Sequence, residues 1–567
     1  MPRGMSSASI SIRPPAASTS PPWKSRHCPC APTDSSHRQP SPDKRGAGGM
    51  SERLWDIPPT WEWSRIGELG NVVSGGTPPT KVSKYWEGDI IWFAPSDLTG
   101  YKRKFIERGA KTLTKVGLAK SSAKLMPAGS VMFSSRAPVG YTAINTKPSA
   151  TNQGFKSIVP HDGLFNEYLY YYLQAAKQIA EQRATGTTFK ELSGSAFGAL
   201  PVPLAPTCEQ RRIVEKIEAL FAEIDKGVES LQAAKSTLDL YRKSLLKSAF
   251  EGRLTADWRS RNPDKLEDPE TLFARIRKER EASYQTALAD WEQSVTKWKE
   301  NGEKGKKPAK PKKMKHETMQ PLLSLFNVPL PSSWLAAKVV TVLDIVSGAT
   351  PKGINSCNGK GIPFFKISDM NAKGNEIELS QASLNLSANE AQALGLVVCP
   401  AGTIVFPKRG GAILTNKKRR LCQPSCFDLN TMGLVNQTKT VLQKFAYYWM
   451  LGVDLSAIYD GSNVPQINNK NVEPLCFPIC SPDEQAQIVR ILDARFEALE
   501  VLQTEINATF ARAEALRQSI LKRAFSGKLV PQDPNDEPAT VLLERIKAER
   551  TVTSRKPATR KHKAAHR

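Results

Sequence analysis

Apolar residues recur every seven positions in two stretches of this chain. Ile217, Ile224, Leu231, Leu238 and Leu245 form the first row, flanked by a second row of Ile213, Leu220, Ala234 and Tyr241. Leu492, Leu499, Ile506, Ala513 and Ile520 form the corresponding row further on. Heptads sustained this long predict helices packed as a coiled coil. No proline interrupts Glu209–Phe250, so a single helix roughly 60 Å long is expected. Pro201-Val-Pro-Leu-Ala-Pro206 bars its extension backwards. Gly252 and Gly527 stand where helix stops belong.

The two stretches are copies of one another. Glu209–Leu254 aligns without a gap to Glu484–Leu529, 275 residues later, and fifteen of the 46 positions are identical. A unit this long is not a short solenoid repeat. It implies one module, a globular region followed by a long helix, used twice.

Ahead of the first helix the pattern changes to short apolar runs between turn signals. Ile90-Ile91-Trp92-Phe93, Ser130-Val131-Met132-Phe133 and Ser157-Ile158-Val159 read as strands. A helix is expected near Glu167 to Gln182. The fold class is therefore mixed α/β (α+β). A second globular region echoes the first at anchor points. Trp61 matches Trp334, and Val73-Ser-Gly-Gly-Thr-Pro78 matches Val346-Ser-Gly-Ala-Thr-Pro351. Ser96-Asp97 matches Ser368-Asp369, Pro127-Ala-Gly129 matches Pro400-Ala-Gly402, and Arg136 stands opposite Arg409. Between anchors the sequences diverge, as expected of one scaffold carrying unlike surface loops. The expected division is a disordered basic extension (1–50), a globular domain (51–205) and a long helix (206–255). A charged helix with a Lys-rich linker (256–328) follows, then a second domain (329–480), a second long helix (481–530) and a short helix with a basic, disordered tail (531–567). Met50 opens the protein-like part and reads as the natural start.

Composition narrows the partner. The 567 residues carry a net charge of +25, which suits a polyanion, most simply nucleic acid. No apolar run is long enough for a membrane span, and no signal core opens the chain. Nine cysteines form no dense framework, which fits a reducing cytoplasm. No phosphate-binding G-x-x-x-x-G-K-[ST] loop and no Asn/Asp-Pro-Pro-aromatic tetrad occurs. Neither ATPase nor amino-methyltransferase chemistry is therefore expected in this chain, nor any catalytic residue. Cys422-x3-Cys426 and Cys476-x3-Cys480 lack the usual zinc spacing and read as thiols rather than metal ligands.

The ordered series of motifs resembles the specificity subunit of type I restriction-modification enzymes. It comprises Val73–Pro78, Gly186-Thr-Thr-Phe-Lys-Glu-Leu192, Pro201–Pro206, Glu209-Gln-Arg-Arg-Ile-Val214 and Phe250-Glu-Gly-Arg-Leu254. The second pass gives Gly461-Ser-Asn-Val-Pro-Gln-Ile467, Pro474–Pro478, Glu484-Gln-Ala-Gln-Ile-Val489 and Phe525-Ser-Gly-Lys-Leu529. The resemblance implies two target-recognition domains held apart by an antiparallel helix pair with a pseudo-two-fold axis. Each domain would read half of an asymmetric, interrupted duplex-DNA target. It also implies two methyltransferase subunits and, in the larger complex, two restriction subunits as partners. S-adenosylmethionine, ATP and Mg would then be cofactors of those subunits, with none in this chain.

Recognition needs side chains that reach base edges and cations that hold phosphates. The candidates in the first domain are Lys81, Lys84, Tyr85, Lys102, Arg103, Lys104, Arg136 and Lys190. In the second they are Lys366, Lys408, Arg409, Asn416, Lys417, Lys418, Arg419, Arg420, Asn463 and Gln466. Arg136 and Arg409 stand out because they hold equivalent places just after a strand. Other readings stay open: a type IIB/IIG-like specificity subunit, a coiled-coil adaptor that reads no sequence, or a nuclease using the recurring Asp97 and Asp369. Those two aspartates read more simply as turn or cap residues.

Overall fold

The computed structural model describes residues 54–554, apart from 137, 187–189, 301, 304–306, 309, 312–328 and 358. The N-terminal extension, Met50, most of the Lys-rich linker and the tail beyond 554 lie outside the described residues.

In the first domain the strands are β1 (Glu62–Arg65), β2 (Gly70–Ser74), β3 (Trp86–Phe93), β4 (Phe105–Ile106), β5 (Lys111–Leu113), β6 (Val131–Ser134), β7 (Thr142–Asn145), β8 (Ser149–Thr151), β9 (Phe155–Pro160) and β10 (Pro201–Leu204). They form a five-stranded sheet in the order β2-β9-β6-β7-β4, a three-stranded sheet β5-β3-β8, and the ribbon β1-β10. The unbroken apolar run of β6 follows from its place, since it pairs on both edges and every residue is buried. The prolines of β10 are tolerated because that strand belongs to a two-stranded ribbon. The expected helix near Glu167–Gln182 is two, Asn166–Ala175 and Lys177–Arg183.

The second domain runs through β11 (Leu335–Lys338), β12 (Asp344–Ser347), β13 (Ile362–Phe365), β14 (Glu378–Leu379), β15 (Leu384–Leu386), β16 (Ile404–Pro407), β17 (Arg419–Leu421), β18 (Cys426–Phe427), β19 (Thr431–Val435) and β20 (Cys476–Ile479). Its sheets are β12-β19-β16-β17-β14, β15-β13-β18 and β11-β20. Adding ten to each strand number of the first domain gives the second, so the two share one topology.

The long helices run Thr207–Phe250 and Pro482–Phe525, each 44 residues and so about 66 Å. They pack against each other antiparallel. Arg242 pairs with Glu500 at 3.1 Å, and Arg517 with Asp225. Moving seventeen residues up one helix thus moves seventeen down the other. The two pairs are also each other's repeat: adding 275 turns Asp225 into Glu500 and Arg242 into Arg517. The pseudo-two-fold axis passes between them. The heptad rows form the seam. Ile217, Leu245, Leu492, Leu499 and Ile520 are buried, and Ile224, Leu231, Leu238, Ile506 and Ala513 are half-buried. Of the second row, Ala234 and Tyr241 face solvent, because two helices alone bury only one narrow seam.

Each domain closes over the start of one long helix and the finish of the other. The first core contains Ile213, Val214 and Ile217 with Ile520, Leu521, Ala524 and Phe525; the second contains Leu245, Leu246, Ala249 and Phe250 with Ile488 and Leu492. Tyr168 and Tyr172 meet the Phe525 ring edge-on at 5.1 and 5.2 Å, and Phe445 meets Phe250 at 5.3 Å. A repeated polar lock joins helix to domain. The Trp61 indole donates to Glu209 at 2.8 Å, and Trp334 to Glu484 at 2.8 Å. Gln210 accepts from Phe165 N, and Gln485 from Leu442 N, both at 2.9 Å. At the helix stops Gly252 (φ +75°) and Gly527 (φ +68°) adopt the left-handed conformation. A Cβ there would sit 2.4 Å from Pro331 and 2.2 Å from Pro58 respectively, so only glycine fits.

A further helix braces each domain: Pro269–Glu300 on the second, through Leu272, Phe273 and Ile276, and Ala539–Ser554 on the first, through Leu542, Leu543 and Ile546. The second brace extends past Glu549, where the sequence pattern predicts disorder.

Packing rather than surface charge holds this frame. Phe525→Ala is expected to lower stability by about 3–5 kcal/mol. The coupling between Arg517 and Asp225, whose carboxylate side chain is 61% exposed, should stay below about 1 kcal/mol in a double-mutant cycle. Urea unfolding of the four variants measures both.

Candidate nucleic-acid interface

The strongest candidate surface lies at one end of the central sheet of each domain, where four loops meet. In the first domain the loop after β2 lies hard against residues 151–155: Gly76 N donates to Thr151 O at 2.8 Å, and a Cβ on Gly75 would sit 1.9 Å from Asn152 O. Thr77 donates to Gln153. Arg136 leaves the end of β6 and pairs its backbone with Glu191, which also pairs with Thr185 to make a strap. Leu192 N donates to Ser135 O at 2.9 Å, which ties the strap down. The Arg136 guanidinium lies 3.5 Å from the Glu191 carboxylate, and Lys156 Nζ reaches the same carboxylate at 3.4 Å. Lys190 is exposed beside them.

The second domain repeats the arrangement with different groups. Arg409 leaves the end of β16 and pairs its backbone with Gln466 in the strap 460–467. Its Nε and Nη2 donate to Gln466 Oε1 at 3.2 and 2.9 Å, while Gln466 Nε2 donates to Asn468 at 2.9 Å. Lys408 Nζ donates to Ser347 Oγ at 3.2 Å. Burial, and then the neighbouring Arg409 charge, lower the Lys408 pKa. Asn463 stands exposed on the strap.

The remaining candidates separate into two groups. Lys81, Lys84, Lys102 and Arg103 are exposed, Lys84 lies over the Tyr85 ring, Lys366 donates to Asn355 and Lys417 to Asn371. The others, expected at the DNA surface, are tied back into the protein by hydrogen bonds and ion pairs. Lys104 turns inward to Glu167 and Glu218, pinning the domain to the first long helix. Lys418 is 2% exposed and donates to Val453 O and to Asn416 Oδ1. Asn416, in the left-handed conformation at φ +53°, also accepts from Leu455 N at 2.9 Å. Arg419 donates to the carbonyls of Lys418 and Met370, and Arg420 pairs with Glu378 and covers the Tyr447 ring. Much of the basic run is thus spent on bonds within the domain: Lys418, Arg419 and Arg420 all find partners there. Sequence reasoning also missed Lys156 and Glu191. Glu191 could have been found, since it is the repeat counterpart of Gln466.

Asp97 and Asp369 cap backbone. Asp97 accepts from Ala94 N at 2.7 Å and Asp369 from Lys366 N at 2.8 Å. Among the described residues no three His, Cys, Asp or Glu side chains gather as a metal-holding group. Cys480 is fully buried in an apolar setting that drives its pKa well up.

The family profile described as the type I restriction modification DNA specificity domain matches residues 58–231 and again 331–509. The chain belongs to that family. Among its relatives, the type I restriction enzyme MjaIX specificity subunit of Methanocaldococcus jannaschii is 35% identical over 196 residues, covering 34% of this chain and 44% of that protein. The type I restriction enzyme EcoKI specificity subunit of Escherichia coli K12 is 22% identical over 470 residues, 78% of this chain and 86% of that one. A solved chain described in the complex assembly of a type I R-M system shares the fold, with a TM-score of 0.56 at 18% identity over 84% of this chain and 100% of that chain. The two profile matches fall on the two domains and the first portions of their helices, so the repeat is a repeat of the family's own unit.

The buried lysine gives this protein a pH signature. Burial lowers the Lys418 pKa to about 7, against a smaller opposing pull from Asp454. Between pH 7 and the ordinary lysine value the unfolded chain binds the extra proton, so stability rises with pH across that window. Lys418→Met should remove this part of the slope, which urea midpoints of both proteins from pH 7 to 10 will measure.

Proposed function

We propose that this chain is the non-catalytic sequence reader of a type I restriction-modification complex, each domain binding one half of an asymmetric, interrupted duplex target. The observation that carries this reading is the pairing of like scaffolds with unlike loops. The same loop platform occurs twice around one pseudo-two-fold axis, with Arg136, Glu191 and Lys156 on one and Lys408, Arg409 and Gln466 on the other. A duplex backbone is itself two-fold symmetric, so one protein face can meet it twice. Loops of different composition then read different bases at the two places.

The strut sets the distance between readers and offers equivalent landing places for partners. Tyr241 is 41% exposed and Leu516, its repeat counterpart, 51% exposed on the strut surface. Equivalent places on a pseudo-two-fold strut suit two copies of one partner, which in this reading are methyltransferase subunits, joined in the larger complex by two restriction subunits. Those partners would bring S-adenosylmethionine, ATP and Mg. No helix among the described residues is long and apolar enough to cross a membrane, and the assembly is proposed to work in the cytoplasm.

Genome-wide adenine methylation mapping, with and without this protein, is expected to reveal one bipartite motif that vanishes in its absence; an unchanged map would refute the reading. Inserting four residues into each long helix adds about 6 Å. The preferred spacer should then lengthen by about one or two base pairs, given a rise of about 3.4 Å per pair. Methylation of duplexes with graded spacers reads this directly.

A further inference from the structure

The two loop platforms differ in one electrostatic respect. In both domains an arginine leaves the central strand and is held by the residue across a backbone bridge. In the first domain that residue is Glu191, a carboxylate that also faces Lys156, which is nearly buried and donates to Gln153 O at 3.1 Å. In the second it is Gln466, a neutral amide whose oxygen takes both the Nε and Nη2 hydrogens of Arg409. The nearest acid on that strap, Asp460, accepts from Ser462 and from Gln466 N instead. The second platform therefore presents two cations, Lys408 and Arg409, with no carboxylate bonded to either among the described residues. The first presents Arg136 and Lys156 against one carboxylate, with Lys190 exposed beside them, so the difference lies in the immediate partner of each arginine and not in the summed charge.

A carboxylate competes with a phosphate for the same guanidinium face, whereas an amide oxygen orients the guanidinium without cancelling its charge. We propose that Glu191 and Gln466 are positioning residues that divide the phosphate contact unequally. The C-terminal domain makes the stronger, salt-sensitive grip on the backbone through Arg409, while the N-terminal domain holds Arg136 in a charge-compensated state suited to reading base edges. This rests on the proposed function and deepens it, because it says how the halves of one target are held differently.

The test exchanges the two residues in the full chain and measures affinity for the mapped target duplex, and for a scrambled duplex, across a salt series. Each phosphate contact contributes about 0.9 to the slope of log affinity against log salt. Gln466→Glu is expected to flatten the slope by about one such contact and weaken binding several-fold at low salt. Glu191→Gln is expected to steepen it by about the same amount, and the double exchange to restore the original slope. In an Arg409→Gln background, Gln466→Glu should change nothing further, a coupling that a merely structural role for Gln466 would not produce. Exchanges that leave the slope alone, or that both weaken binding in parallel, overturn the proposal while the preference for target over scrambled duplex persists. Loss of that preference in the unaltered chain would instead overturn the DNA-reading function on which it rests.

Discussion

Everything in this molecule depends on two copies of one helix lying antiparallel. Because they do, the first turns of each helix lie beside the last turns of the other, and each domain can close only over both. Neither half of the chain holds all the groups its own core requires. Phe525, near the far end of the second helix, fills the space against Tyr168 and Tyr172 of the first domain. The same logic explains the buried Glu209. Burial raises its pKa, and the cost of keeping a carboxyl there is offset by the Trp61 indole and by Gln532, which comes from beyond the second helix. Its counterpart Glu484 is held by Trp334, Thr255 and Arg259, the last two from beyond the first helix. The polar locks thus check the same crossing that the apolar seam makes.

Much of this frame was legible in sequence because it obeys periodicities. A seven-residue row survives in the seam, a fully apolar run survives as the central β6, and a glycine survives where φ must be positive. What was not legible is what periodicity does not encode. The second heptad row looked as good as the first, yet Tyr241 is exposed, since nothing else covers a two-helix strut. The downstream braces are themselves repeats, with Leu272-Phe273-Ala-Arg-Ile276 answering Leu542-Leu543-Glu-Arg-Ile546. The offset there is 270 rather than 275, so the ungapped alignment stops before reaching them.

The candidate interface was legible only where the repeat marked it. Arg136 and Arg409 were visible as equivalents and do occupy matching places. The run from Lys417 to Arg420 was chosen on charge alone, and charge does not say which way a side chain turns. There the local backbone decides: the left-handed Asn416 redirects the chain, Lys418 goes inward, and Arg420 lies back over Tyr447. Lys104 makes the same point from the other domain, since a cation next to a long helix with free carboxylates finds a partner within the protein.

That lysine also shows how far the domains have diverged without loss of frame. Lys104 precedes β4, and the residue preceding the equivalent β14 is Ile377, which is 50% exposed. Where Lys104 clamps the first domain to Glu218, the counterpart Asp493 is held instead by Lys444 at 2.8 Å, and an open cavity of about 740 Å3 lies alongside, lined by Ile377, Arg420, Tyr447 and Phe496 among others. Yet the aromatic contacts behind it are kept: Tyr171 on Phe221 and Tyr448 on Phe496. The order of retention follows energy. Buried aromatic contacts cost several kcal/mol to lose and stay fixed, while half-exposed ion pairs cost about 1 kcal/mol or less and are exchanged freely. A frame can be kept while the surface it carries diverges only if the two are held by forces of such different size.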